Sequence, residues 1–487
     1  MIETTAEPIA DTTAEAVDAM VAAAAAAAPA WAELGAAGRA EVLDGIADRL
    51  DAQATELIAL ARHETRLPEP RLTGELRRTT FQLRLFADTV RDGGYLDVRI
   101  DTADDRWPMG APRPDLRRMN IPLGPVVNFA ASNFPFAFSV PGGDTAAALA
   151  AGCPVIVKAN PGHPGLSRAV GTIITAVMDE NRVPRGTFGL VFGVDAGVRV
   201  LTHPAVAAAA FTGSIRGGRA LFDIANARPN PIPFYGELGS VNPVFVTAAA
   251  AHSRPAEIAA GLLTTLSASA GQLCTKPGLI AVPDGSPLLE ELAGTTPEPT
   301  GDLLNDSIEA GFIGAVEQIR AHPAVRILSG GASGRTLLLT TRAQDVLADP
   351  EALTQEMFGP AALVVTYRDV DELFALARAV SGQLTVSVFG DDTDDIARTL
   401  LTRGVDVAGR VLWNSWPTGL SVTYAQQHGG PYPATTAPTA TSVGSASIAR
   451  FLRPVVYQSV PAELLPPELR DDNPLAVPRS VNGARAR

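Results

Sequence analysis

From Leu123 onward the chain alternates short apolar runs with helix-compatible segments, and this rhythm restricts the possible folds more than any other feature. Pro154-Val-Ile-Val-Lys158, Thr187-Phe-Gly-Leu-Val-Phe192 and Val206-Ala-Ala-Ala-Ala-Phe-Thr212 read as strands buried on both faces. Segments around 141–151, 164–180 and 195–203 lie between them with helical spacing. Such alternation predicts a parallel, doubly wound sheet. The pattern then recurs, with strands near 241–247, 279–282, 361–366 and 384–389 and helices near 254–270, 307–321 and 370–380. The expected fold class is α/β, with two doubly wound α/β domains.

The flanks read differently. Val42, Leu43, Ile46, Leu50, Leu57 and Leu60 recur at helical spacing, and residues 70–91 continue in that style, so the opening hundred residues are expected to be mainly helical. Asp101 to Pro122 is polar and proline-containing, as in a hairpin or arm. The tail from Thr439, with Arg450-Phe-Leu-Arg-Pro-Val-Val-Tyr457, is too short and open to fold alone. It is expected to pack on another domain or subunit.

A net charge of −13 disfavours nucleic acid or an anionic membrane as a partner. The apolar run Met20 to Pro29 resembles a signal peptide, but Glu3, Glu7, Asp11, Glu15 and Asp18 give it the wrong flanking charge. Pro29 also ends it too early for a membrane span, leaving an alanine-rich surface helix as the reading. Cys153 and Cys274 cannot build a disulfide framework, the six histidines are scattered, and no zinc ligand set is spelled out. A reduced, metal-free, cytoplasmic protein follows. Of 39 basic residues only Lys158 and Lys276 are lysines, so each breaks a strong arginine bias.

Four stretches carry candidate chemistry. Cys274 lies just past a helix that breaks at Gly271, where a thiol can be nucleophile, metal ligand, disulfide partner or buried hydrophobe. Phe211-Thr-Gly-Ser-Ile-Arg-Gly-Gly218 sits between strand and helix, a setting for phosphate on backbone amides or for an ordinary turn. Glu237 is flanked by apolar residues and glycines at a strand end, so it is solvated, paired or shifted in pKa. Asn133, in an apolar strand-to-turn segment, must spend its amide on a backbone carbonyl or a developing oxyanion. Cys153 reads as inert core and His428 as structural.

Taken together, Ser-Asn133-Phe-Pro, Val-Ile-Val-Lys158, Phe-Thr-Gly213-Ser214 with Gly218, Glu237-Leu-Gly, Gly-Gln-Leu-Cys274 and Gln-Glu356-Met-Phe358-Gly-Pro resemble the aldehyde dehydrogenase superfamily in order and spacing. The resemblance runs from the N-terminal helices to about Tyr457. It implies Cys274 as nucleophile, Asn133 and the Cys274 N–H as the oxyanion site, and Glu237 as the base that activates water. It further implies Lys158 on the adenine ribose, Gly213, Ser214 and Gly218 at the phosphates, Glu356 on the nicotinamide ribose and Phe358 against the nicotinamide. No metal is implied.

The implied domains are 1–104 with 123–238 for the dinucleotide, 239–438 for catalysis, and 105–122 with 439–487 as a small oligomerisation arm and tail. A homodimer or homotetramer is expected. No carboxylate stands three positions after Lys158, so NADP is favoured over NAD.

The segments 211–221, 411–419, 428–435 and 441–444 are similar to the 2,5-dioxovalerate (α-ketoglutaric semialdehyde) dehydrogenases, with a departure at Ser240, where a glycine is usual. The implied reaction is oxidation of 2,5-dioxopentanoate to 2-oxoglutarate. A fatty or medium-chain aldehyde dehydrogenase is the alternative, and CoA acylation is disfavoured by Glu237. Arg84 is a candidate cation for the substrate carboxylate, and Lys276 reads as a surface lysine.

Overall fold

Five parallel strands lie side by side in the order Phe188–Val191, Val155–Lys158, Val126–Phe129, Ala208–Thr212 and Phe234–Glu237. They belong to a computed structural model that describes residues 9–295, 300–331 and 335–486. The chain builds outward from Val126–Phe129 in one direction, then returns to lay Ala208–Thr212 on its other flank. A crevice therefore opens between the carboxyl ends of these two central strands. One face of the sheet, with Val127, Ile156 and Ala209, packs on the helix Ala14–Glu33. The other face, with Val126, Val155, Val157, Ala208 and Ala210, packs on helices drawn from residues 35–92, 143–151 and 164–180.

The second sheet has seven strands in the order Arg326–Gly330, Leu337–Arg342, Ala361–Tyr367, Leu279–Pro283, Val244–Val246, Gln383–Phe389 and Ala408–Trp413. All its pairings are parallel except that of the first two. The first, second and last of these strands were not anticipated from sequence. Arg326–Gly330 and Ala408–Trp413 are partly exposed edges, and edges carry no continuous apolar run. Leu337–Arg342 is three leucines followed by polar residues, and its pairing with Ala361–Tyr367 is what makes it strand.

A third sheet joins Leu452–Gln458, Leu116–Pro122, Val98–Asp101, Arg479–Val481 and Ala484–Ala486. The polar excursion and the tail thus complete each other over Leu96, Val98, Ile100, Met119, Leu465, Leu469 and Val477. Val98–Asp101, grouped from sequence with the helical opening, belongs to this sheet.

The first helix also differs from expectation, running through Pro29 to Glu33. A proline near the last turn forfeits one hydrogen bond, and burial of Trp31 just beyond it holds the final turn in place. One face of this helix is core, not surface, at Val17, Val21, Ala24 and Ala27. Among the described residues no single helix is long and apolar enough to cross a membrane, and the consecutive helices Ala14–Glu33 and Gly35–Ala52 are bent by 114°. Glu3 and Glu7 lie outside the described residues.

Candidate active site

The switch-point crevice opens into a cavity of about 700 Å³. Of the nine residues singled out from sequence, Asn133, Lys158, Gly213, Ser214, Glu237, Cys274, Glu356 and Phe358 line it. Gly218 does not. It lies one turn into the helix Ile215–Ala227, where a Cβ would stand 2.1 Å from Leu238 Cδ2, so its glycine sets how closely the helix approaches the strand. Gly217 takes its place on the cavity wall.

The thiol's position follows from a strained turn. The helix Pro255–Ser267 ends in a 3₁₀ turn, Ala268–Gly271, in which Ser269, Ala270 and Gly271 have φ of +50°, +51° and +69°. Left-handed backbone costs about 1–2 kcal/mol at a non-glycine residue, so the surroundings must hold it. They do so by hydrogen bonds: Arg71 Nε donates to Ser269 Oγ at 3.0 Å, Leu304 N–H to Gln272 Oε1 at 2.8 Å, and Asn242 Nδ2 to the Cys274 and Lys276 carbonyls at 2.9 and 3.0 Å. Asn242 is itself left-handed, a conformation asparagine tolerates. Its N–H and that of Val241 both donate to Gln383 Oε1. Ser240, the departure noted above, places its hydroxyl 2.8 Å from the same Gln383 oxygen and accepts from the Leu384 N–H.

Asn133 is held from the helix Glu69–Asp92. Arg71 donates to the Asn133 carbonyl at 3.1 Å, and Glu75, ion-paired with Arg71, accepts from the N–H groups of Phe136 and Ala137 at 2.7 and 2.8 Å. The Asn133 amide donates one N–H to the Gln272 carbonyl at 3.0 Å, and a primary amide carries two. The Cys274 backbone N–H meets no protein acceptor among the described residues. Both free donors belong to residues that line the same cavity as the sulfur.

His428, read from sequence as structural, stands against both the thiol and the carboxylate. Its Nε2 lies 3.5 Å from Cys274 Sγ and 2.9 Å from Glu237 Oε1, while its Nδ1 is buried without a partner among the described residues. Burial alone would lower the imidazole pKa, but the Glu237 carboxylate and the Cys274 sulfur outweigh it and raise the group to about 10. Burial pushes the Glu237 carboxyl up, and His428, the Ser442 hydroxyl and Arg450 more than offset this, leaving it below the ordinary carboxylate range. At neutral pH the pair is imidazolium and carboxylate.

Nothing in linear spacing marks His428 or Ser442. They arrive on a loop that is laced to the Glu237 strand by the Leu238 N–H on the Ala434 carbonyl and by the Gly236 N–H on the Thr436 hydroxyl, each at 2.8 Å. Sulfur, imidazole nitrogen and carboxylate oxygen stand within 4.8 Å of one another, a soft and borderline donor set of the kind zinc accepts. The separate ligand types were legible, whereas their convergence was not.

Lys276 is likewise not on the surface. It is buried and donates to the Met357 and Ala361 carbonyls, each at 2.8 Å. Burial pulls its ammonium pKa down against the opposing Glu356 charge, and burial pushes the Glu356 carboxyl up against Lys276 and the Ser240 N–H. The carboxylate reaches the cavity across Gly239, where a Cβ would stand 2.5 Å from Glu356 Oε2. The break in the arginine bias was the one sequence signal that pointed here.

Arg84 has no part in the site: it is exposed and pairs with Asp48 and Asp51 at 2.6 and 2.9 Å. Cys153 is core as expected, buried and pushed up to about 11 by desolvation.

The residues fit a dinucleotide. Ser214 caps the helix Ile215–Ala227, whose first N–H groups face the cavity from an end carrying partial positive charge. Thr212 Oγ1, on the same wall, is buried with no partner among the described residues.

A doubly wound sheet whose switch-point cavity is lined by a thiol and a carboxylate, with an imidazole touching both, defines a class: enzymes that do covalent chemistry on sulfur beside a bound nucleotide. The chain belongs to the aldehyde dehydrogenase family, whose model matches residues 3–432. It is 47% identical over 461 residues to alpha-ketoglutaric semialdehyde dehydrogenase 2 of Azospirillum brasilense, covering 92% of this chain and 87% of that one. It is 41% identical to alpha-ketoglutaric semialdehyde dehydrogenase of Acinetobacter baylyi, covering 91% and 86%. Among solved structures, bifunctional proline utilization A superposes with a TM-score of 0.77 at 25% identity, over 93% of this chain and 46% of that protein. The chain thus spans less than half of that longer relative. The protein is an NAD(P)-linked oxidoreductase acting on an aldehyde.

Proposed function

We propose that the chain oxidises 2,5-dioxopentanoate to 2-oxoglutarate, with NADP preferred over NAD. The observation that carries this reading is the convergence of His428 on Cys274 and Glu237, which line the cavity, in a chain 47% and 41% identical to two dehydrogenases named for this semialdehyde.

Cys274 is the nucleophile. Its proton leaves to solvent, the His428 imidazolium stabilises the resulting thiolate, and the sulfur adds to the aldehyde carbon to form a thiohemiacetal whose oxygen accepts from the Asn133 amide and the Cys274 N–H. Bound NAD(P) supplies the hydride acceptor for the oxidation. As the carbon–oxygen double bond re-forms, the substrate is left as a thioester on Cys274. Glu237, a carboxylate steadied by Ser442 and the His428 imidazolium, removes a proton from water. The hydroxide adds to the thioester carbonyl and the thiolate leaves.

Lys158, Gly213, Ser214, Glu356 and Phe358 hold the dinucleotide, with residues 1–104 and 123–238 as its domain and residues 239–438 as the catalytic one. Gly218 contributes through the packing of the phosphate-binding helix. The NADP preference rests on Lys158 together with the identity of the carboxylates lining the cavity: among the described residues these are Glu237 and Glu356, and neither follows the Lys158 strand. Residues 105–122 and 439–487 form an oligomerisation arm of a homodimer or homotetramer, a reading supported by the outer strand Leu452–Gln458, which is paired on one edge only among the described residues. The enzyme is cytoplasmic.

Steady-state kinetics with 2,5-dioxopentanoate, pentanal and longer alkanals, each with NAD and NADP, tests the reading. The acid semialdehyde with NADP is expected to give the highest kcat/KM. Higher values with long alkanals would establish the fatty aldehyde alternative.

A further inference from the structure

We infer that Arg78, together with Arg410, forms the subsite that binds the substrate's carboxylate, the group farthest from the aldehyde; the inference rests on the acid-semialdehyde reading above. Arg78 lies on the face of Glu69–Asp92 that carries Arg71 and Glu75, the residues that grip the Asn133–Ala137 segment. Its guanidinium is 5.1 Å from the centre of the Phe138 ring. That ring in turn lies 6.4 Å from the imidazole of His428, whose Nε2 touches Cys274.

Arg78 makes no side-chain hydrogen bond or ion pair among the described residues, and its Nη1 is buried without a partner. A desolvated guanidinium left so is costly, and an acidic ligand is what its donor fork suits. Arg410 lies on the strand Ala408–Trp413, where a Cβ on the neighbouring Gly409 would stand 2.3 Å from the carbonyl oxygen of Gly429, the residue after His428. Arg410 donates to the Pro417 carbonyl at 2.5 Å and keeps a buried Nε–H without a partner. Each arginine is close enough to Cys274 to feel its charge, and burial lowers the pKa of each.

Neither lines the nucleotide cavity. Phe134, Phe138, Leu420 and Val422, which cluster beside the Asn133 loop, supply apolar surface suited to a short methylene chain. The arrangement suits a small aldehyde with an anionic end: the carbonyl carbon at the sulfur, the methylenes against the phenylalanines, the carboxylate on the two buried donors, Arg78 Nη1 and Arg410 Nε, that have no partner among the described residues. Arg84, six residues beyond Arg78 and so about 240° round the same helix, is already neutralised by Asp48 and Asp51.

The test compares 2,5-dioxopentanoate with pentanal, which has the same chain length and no charge, in the wild type, Arg78→Gln, Arg78→Lys and Arg410→Gln. Binding of the product 2-oxoglutarate to the NADP-loaded enzyme is measured in parallel by calorimetry. Arg78→Gln is expected to lower kcat/KM for the acid semialdehyde about 50-fold, mainly through KM, and to weaken 2-oxoglutarate binding comparably. Its kcat/KM for pentanal should stay within about threefold of wild type. Arg78→Lys should recover part of the loss, and Arg410→Gln should lose less than Arg78→Gln. Equal losses on both substrates, or no loss on either, would overturn the subsite while leaving the substrate assignment standing. A wild type that does not discriminate between the two aldehydes would instead remove the substrate assignment, and this subsite with it.

Discussion

The Nε2 of His428 stands 3.5 Å from the sulfur of Cys274, across 154 residues of sequence. The same nitrogen contacts Glu237 at 2.9 Å, so one ring connects the nucleophile to the carboxylate. Sharing one imidazolium between them lets its charge stabilise both the sulfur and the carboxylate.

Replacing the ring should therefore impair the thiol and not merely the fold. His428→Gln is expected to lower kcat/KM by about 10²–10³-fold at pH 7, within the range for losing a charge-stabilising donor beside the reacting atoms. The rate of Cys274 alkylation by iodoacetamide should fall in parallel. Unchanged alkylation with a reduced melting temperature would assign His428 a structural role.

The raised pKa of His428 fixes a sign for stability against pH. The imidazole titrates near 6.5 when unfolded and at about 10 when folded, so its stabilisation is fully present below pH 6.5 and drains away as pH climbs towards 10. Glu237 works at the other end, because its lowered pKa makes its stabilisation disappear as the solution is acidified below the ordinary carboxylate range. Melting temperatures of the wild type should decline more steeply between about pH 7 and 10 than those of His428→Gln. Parallel curves would refute the ion pair.

Glu237→Gln keeps the shape of the side chain and removes the base. One equivalent of NAD(P)H per site is expected to form in a burst, followed by turnover slowed about 10²–10⁴-fold as the thioester accumulates on Cys274. Stopped-flow absorbance and intact-protein mass spectrometry read the two stages. Normal steady turnover would place the hydrolytic base elsewhere.

Lys276→Met leaves the Met357 and Ala361 carbonyls without their donor in a buried setting and deprives Glu356 of its cation. Denaturant titration should show a loss of about 2–4 kcal/mol. The KM for NADP should also rise, since Glu356 lines the cavity. A variant as stable as wild type, with unchanged KM, would return Lys276 to the role of a bystander.

What the sequence by itself determined is what short-range pattern carries. Continuous apolar runs such as Val155–Lys158 and Ala208–Thr212 announce buried parallel strands, because a strand covered on both faces has no polar side to show. The segments around Asn133, Glu237, Cys274 and Glu356 are similarly local, each a strand end or turn with its own signature. Edge strands such as Ala408–Trp413 were invisible because half their surface is wet.

Only the tertiary structure decided which groups meet. Burial of Lys276, the approach of His428 and Ser442 to Glu237, and the unpaired donors of Arg78 and Arg410 all depend on segments tens to hundreds of residues apart. A side chain's charge state and chemical use are set by its neighbours in space, through desolvation and Coulomb interaction, and linear spacing encodes neither.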